Sequence, residues 1–227
     1  MERKNFHKEL DNLRLMLLKM AALSRESFDN TIKAFLGRDD GLAQAVIDGD
    51  REINRLELEI DRQALRLLAL EQPMARDLRM IVGVMRISND LERIADQSVN
   101  IAERTMFLCQ HPPLEQVPAM ASLIDMSRRM LIMAVTSLRD MDAETAKQIP
   151  GFDDYADEYT MQVLKGLIEV MAASAPGFEK RVLKLRRSIQ TIIISRCLER
   201  IADLSTNIGE HVAFIVEGVD IKHQQKL

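Results

Sequence analysis

The sequence predicts an all-α protein made of two pseudo-symmetric three-helix bundles, and three observations carry that reading. The 227-residue chain holds nine Gly, six Pro, two Tyr and no Trp against 14 Met and abundant Leu, Arg, Glu and Ala, a mixture that favours helix over strand. Its helix breakers are few and widely spaced, so the helices between them are long. The phrase LERIADQSVNIAE (91–103) returns as LERIADLSTNIGE (198–210), with ten of thirteen positions identical. A repeat too long for a solenoid unit points to a duplicated bundle.

The first helix runs from about His7 to Leu36, where Leu10, Leu13, Leu17, Met20, Ala21, Ser24 and Phe28 recur at helical spacing. Gly37 supplies a stop, and Asp39 with Asp40 supplies the next cap. The second helix spans about 42–71 and ends before Pro73; the third spans about 75–110 and is closed by Pro112 and Pro113. The second half repeats the plan near 118–140, 143–174 and 178–217, and the residues from 218 to 227 read as a fraying tail. LRDMDAETA resembles LGRDDGLAQA at a spacing of 103 residues, whereas the LERIAD phrases lie 107 apart, so the turn holding Ala175, Pro176 and Gly177 is about four residues longer than its partner. Pro150 and Gly151 interrupt the fifth helix and predict a kink or a late start, because an interior proline costs roughly 3 kcal/mol. The expected domains are residues 1–110 and 111–217.

Charge and composition narrow the function. No run approaches the roughly 18 apolar residues of a membrane helix, and the charged start lacks an apolar leader segment, so a cytoplasmic protein is expected. A net charge of -4 argues against general nucleic-acid affinity. Cys109 and Cys197 fall on apolar helix sides and are expected buried and reduced. The segment EKRVLKLRRS gathers Lys180, Arg181, Lys184, Arg186 and Arg187, which suits an anion or an acidic partner as well as a solvated face. No phosphate loop, dinucleotide fingerprint or nucleophile elbow is present, and none of the four His completes the pairing of a ferritin-like di-iron site.

The repeated phrase carries the candidate chemistry. At 3.6 residues per turn, Glu92, Asp96, Asn100 and Glu103 share an arc of about 80°, and Glu199, Asp203, Asn207 and Glu210 share another. Acids one turn apart repel unless a cation relieves them, and neither pair has Lys or Arg at the i+4 position. Residues equidistant from a helical hairpin turn lie abreast, which sets Asp50 opposite Asp96 and Asn54 opposite Glu92. In the second half it sets Asp153 opposite Asp203 and Asp157 opposite Glu199. Oxygen ligands without His or Cys suit hard cations such as magnesium, manganese or iron. Ordinary solvated helix faces are the plainer reading, and Asp153 is also a natural N-cap after Pro150 and Gly151.

With NDLERIADQSVNIAE, QPMARDLR, DREINRLELEID, DDYADEY and CLERIADLSTNIGE in hand, the chain resembles the PhoU family of phosphate-uptake regulators over nearly its whole length. The resemblance implies two pseudo-symmetric three-helix bundles. It implies divalent or multinuclear metal sites, of iron, manganese, magnesium or zinc, at Glu92, Asp96, Glu199 and Asp203, with Asp50, Asn54, Asp153 and Asp157 as partners. Asn54 stands where a full match has an acid, so the first site is expected to bind less tightly. The family implies a non-enzymatic cytoplasmic adaptor, commonly a homodimer. Such an adaptor restrains phosphate uptake and signalling when phosphate is plentiful. The implied partners are the ATPase of a phosphate ABC transporter and a sensor histidine kinase. A stand-alone metal-buffering bundle and a metal-assisted phosphoesterase are the competing expectations.

Overall fold

A computed structural model describes the backbone of residues 2–173 and 177–219. Its elements are α1 (Glu2–Gly37), α2 (Asp40–Glu71), α3 (Ala75–Cys109), α4 (Pro118–Asp140), α5 (Ala143–Gln148), a 3₁₀ turn (Ile149–Phe152), α6 (Asp153–Ala172) and α7 (Phe178–Glu217). All regular structure among these residues is helical. The expected turn at Ala175 and Pro176 and most of the expected tail, 220–227, lie outside the described residues.

Local chemistry explains the breaks, and in two places it corrects the expectation. Gly37 stays inside α1, and Arg38 takes the left-handed conformation instead, with φ 55°. Met141 does the same at the equivalent place in the second half, φ 53°. The Arg38 guanidinium is anchored, donating to the carbonyls of Leu108 (2.6 Å) and His111. Asp39 then caps α2 by accepting from the Leu42 N–H (2.9 Å), and Asp142 caps α5 by accepting from Glu144 (3.0 Å) and Thr145 (3.2 Å). The fifth helix breaks at Pro150 as expected: one tight 3₁₀ turn separates α5 from α6. The cap of α6 is the backbone of Phe152, so Asp153 is the first helical residue and not the N-cap.

Each half packs three helical segments so that each meets the other two, with α5 and α6 together taking the place of α2 in the second half. Thr31 donates from α1 to the Ser98 carbonyl of α3 (3.0 Å), and Ser127 donates from α4 to the Leu198 carbonyl of α7 (3.0 Å). The two halves share one continuous core. Leu13, Leu17, Phe28, Ile60, Ile87, Ile94 and Ile101 of the first half join Leu123, Val163, Leu167, Leu198, Ile201 and Ile208 of the second. Each such side chain, fully buried, contributes about 1.5–3 kcal/mol of transfer free energy.

The seam between the halves is the antiparallel packing of α3 on α7. Gly83 lets the helices touch, since a Cβ there would lie 2.3 Å from Ile215 Cγ1. Two polar pairs flank the seam in pseudo-twofold relation. Asp90 meets His211 at 3.4 Å, both buried, and Cys197, at the repeat position of Asp90, feels the charge of Arg104, at the repeat position of His211. Burial pushes the Cys197 thiol up to about 11, against the opposing pull of Arg104 and Arg200. Both cysteines are free, but Cys109 is only half-buried, because it sits where α3 ends beside the linker. That linker, 110–117, is held from both sides: Arg187 of α7 donates to the carbonyls of Pro112 (2.5 Å) and Pro113 (3.2 Å), opposite Arg38.

Candidate metal centre

The first acidic groove lies between α2 and α3. Asp50 and Asn54 are half-buried one turn apart on α2, and Asn54 Nδ2 donates to Asp50 Oδ2 (2.7 Å). The remaining oxygens, Asp50 Oδ1 and Asn54 Oδ1, are buried with no hydrogen-bond partner. Burying an unsatisfied oxygen costs about 1–3 kcal/mol, so this pair is primed for a donor or a cation. Burial raises the pKa of Asp50, and the negative charge of Asp96 on α3 adds to the rise while the Asn54 hydrogen bond opposes it. Glu92 is pushed up to about 6, first by burial and then by Asp96, Glu57 and Asp50, with Arg93 opposing. The facing arrangement expected from the hairpin thus brings Asp50, Glu92 and Asp96 into one field.

Glu57, with Asp61 and Asn89 beside it, belongs to this groove and was not singled out from the sequence. Burial raises Glu57, Asp61 and Asp96 raise it further, and a hydrogen bond with Asn89 opposes them. The signal was present in DREINRLELEID: Asp50, Asn54, Glu57 and Asp61 follow an i, i+4, i+7, i+11 rhythm along one face of α2. Glu57 therefore supplies an acid beyond the neutral oxygen of Asn54.

The second groove centres on Asp203 of α7. Its carboxyl is pushed up to about 6 by burial, then by Asp153, Glu199 and Asp157, with Arg200 opposing. The other three residues expected there all act on the charge of Asp203. Relief comes from the N-terminal side, since Arg196 Nη1 lies 2.8 Å from Glu199 Oε2 at i−3. The grooves are not copies of each other. The repeat positions of Glu57 and Asp61 are Thr160, which donates to the Ala156 carbonyl (2.9 Å), and Leu164. The outer members of the predicted arc are spent elsewhere in one case: Glu103 lies 3.5 Å from Arg104.

Among the described residues, no three Asp, Glu, His or Cys side chains are drawn together closely enough to hold a metal as they stand. The donor chemistry fits a hard divalent ion: carboxylate and amide oxygens, two of them buried and unpartnered, in a field that already disfavours ionisation.

A PhoU domain model matches the chain twice, at residues 17–105 and 120–212. The chain belongs to the PhoU family. The PhoU homolog of Aquifex aeolicus, named a phosphate-specific transport system accessory protein, is 34% identical over 217 residues, covering 96% of this chain and 95% of that one. The crystal structure of PhoU from Pseudomonas aeruginosa superposes with a TM-score of 0.86 at 30% identity, covering 94% of this chain and 100% of that one. The phosphate transport system regulatory protein PhoU from Streptococcus pneumoniae gives a TM-score of 0.84 at 26% identity, covering 96% and 99%. The repeat read from LERIAD is thus the PhoU domain, present twice. No described helix of this PhoU-family chain is long and apolar enough to cross a membrane.

Proposed function

We propose that this chain is an accessory regulator of phosphate uptake and of phosphate-responsive two-component signalling, acting negatively when phosphate is plentiful. The observation that carries the reading is that relatives named for phosphate-specific transport match it through both repeats and nearly end to end. Those relatives are named accessory or regulatory proteins, and the proposed role needs no catalytic step. In this reading the chain works in the cytoplasm as a homodimer. It docks on the ATPase of a phosphate ABC transporter and on a sensor histidine kinase. Docking on only one state of a partner shifts that partner toward the state bound.

The acidic grooves fit this role as clamps. Asp50, Asn54, Glu57, Glu92 and Asp96 would hold an ion between α2 and α3, and Asp153, Asp157, Glu199 and Asp203 between α6 and α7. A bound divalent ion supplies the positive charge that offsets carboxylate repulsion. The buried Asp50 and Asn54 oxygens then gain a partner, and the hairpins stiffen.

Two measurements test the proposal. Affinity capture from cells at high phosphate should recover the transporter ATPase and the kinase; recovery of neither overturns the regulatory reading. Metal analysis of the isolated protein should find a defined stoichiometry that falls in Glu92→Ala/Asp96→Ala and again in Glu199→Ala/Asp203→Ala. Equal metal content in parent and variants overturns the clamps.

A further inference from the structure

The two bundles differ at one end in a way the repeat does not require. Ser127 bonds the Leu198 carbonyl, which sets the start of α4, Pro118, level with about residue 189 of the parallel α7. In the first half α1 begins at Glu2, thirteen residues earlier in the repeat frame, and covers its hairpin to the end. The first three turns of α7 therefore extend past the start of α4.

Those turns carry an exposed apolar stripe. Phe178 is 74% exposed, Leu185 47% and Ile189 44%, and with half-buried Val182 they fall within an arc of about 60°. Arg181 borders the stripe on one side and Arg186 on the other, both exposed, while exposed Lys180 lies on the opposite face. Residues 178–189 hold five Lys or Arg against one Glu, in a chain whose net charge is -4. Lys184 and Arg187 keep part of this charge near the backbone, on the carbonyls of Ala173 (3.2 Å) and Pro112. An exposed aromatic at a projecting end, aliphatic residues one and two turns on, and arginines able to snorkel on both flanks make an interfacial pattern. An acidic protein groove would use the charges but would not need so broad an exposed apolar stripe.

We infer that the first three turns of α7 dock on an anionic lipid bilayer, with Phe178, Leu185 and Ile189 entering the headgroup region and Arg181 and Arg186 meeting lipid phosphates. The inference is independent of the proposed partners and of the acidic grooves. The first half provides an internal control, because Met74 and Leu78 are exposed at the repeat-equivalent end, 80% and 41%, but residues 74–85 hold two Arg and one Asp.

The test is co-sedimentation of the full chain with mixed phosphatidylglycerol–phosphatidylcholine vesicles and with pure phosphatidylcholine vesicles. Binding is expected to the anionic vesicles alone and to fall steeply as salt rises. Arg181→Glu/Arg186→Glu and Phe178→Ser/Leu185→Ser should each lower the bound fraction by more than about tenfold, with helical circular dichroism unchanged. Met74→Ser/Leu78→Ser should bind like the parent. No binding to anionic vesicles, equal binding to both vesicle types, or full binding by either α7 variant overturns the inference, and an acidic protein becomes the better occupant.

Discussion

His211 Nε2 lies 3.4 Å from Asp90 Oδ2, and the pair ties α7 of the second bundle to α3 of the first inside the shared core. Both side chains are almost wholly buried, 6% and 5% exposed, so neither has water as an alternative partner. Asp90→Ala should destabilise the fold by about 1–3 kcal/mol, because it removes the acid beside a buried imidazole. The double variant with His211→Ala should cost less than the sum of the single ones. Chemical denaturation of the four proteins measures the coupling, and strict additivity would show that the pair does not act as one.

The grooves predict an unusual pH response of metal-free protein. Glu92, ordinarily 4.5, and Asp203, ordinarily 3.8, both stand at about 6. Groups raised in this way bind protons more tightly folded than unfolded, so their ionisation opposes folding. Their share of stability is greatest below the unfolded values, falls as pH rises through the window from about 4 to about 6, and is flat above it. Glu92→Gln or Asp203→Asn should therefore stabilise metal-free protein at pH 7 by up to roughly 1 kcal/mol, discounted for partial solvent screening, with little effect at pH 4. Urea midpoints at the two pH values check the sign; destabilisation at pH 7 would show that these acids are already compensated.

Two glycines probe how closely helices approach. At Gly83 an added methyl meets the side chain of Ile215, whereas at Gly209 it meets the backbone oxygen of Ala146 at 2.8 Å. Each alanine substitution should cost about 1–3 kcal/mol by overpacking. Ile215→Val should recover part of the loss in Gly83→Ala by removing side-chain bulk. No single side-chain truncation should recover Gly209→Ala as well, since a main-chain oxygen must move. Thermal melts of the single and paired variants separate the two cases.

The linker offers a dynamic prediction. Arg38 and Arg187 together hold the carbonyls of Leu108, His111, Pro112 and Pro113. Arg187→Ala should raise amide exchange across 110–117 at least several-fold while leaving α3 protected, because each lost charge-assisted bond is worth about 1.5–3 kcal/mol. Unchanged exchange would place the restraint in packing, for instance in Val117 against Gly166.

Much of this architecture was legible because long helices announce themselves by periodicity and because the repeat supplies its own alignment. The break at Pro150 followed from a missing N–H donor and a ring that clashes with the preceding turn. The hairpin midpoint rule placed Asp50, Glu92, Asp96, Asp153, Glu199 and Asp203 because antiparallel neighbours joined by a short turn have little freedom of register. Gly37 misled for the opposite reason: Arg38 ends α1 through carbonyls seventy residues away, which no local window contains. Glu57 lies outside the i+4 pairs of the hairpin rule, because a helix face also includes i+7. The union of the two cores depends on how α3 meets α7, a tertiary choice that side-chain periodicity leaves open.

The antiparallel seam has an ancestral reading. Two identical helices crossing about a twofold axis form an isologous contact, in which residue i of one meets residue j of the other and the converse holds. The positions of Asp90 and His211 recur reciprocally as Cys197 and Arg104, so the seam retains the form of a self-complementary interface whose copies have since diverged. A single-repeat forebear would have found its partner in its own twin. Within one chain the two copies are tethered, so each half is free to lose what the other keeps.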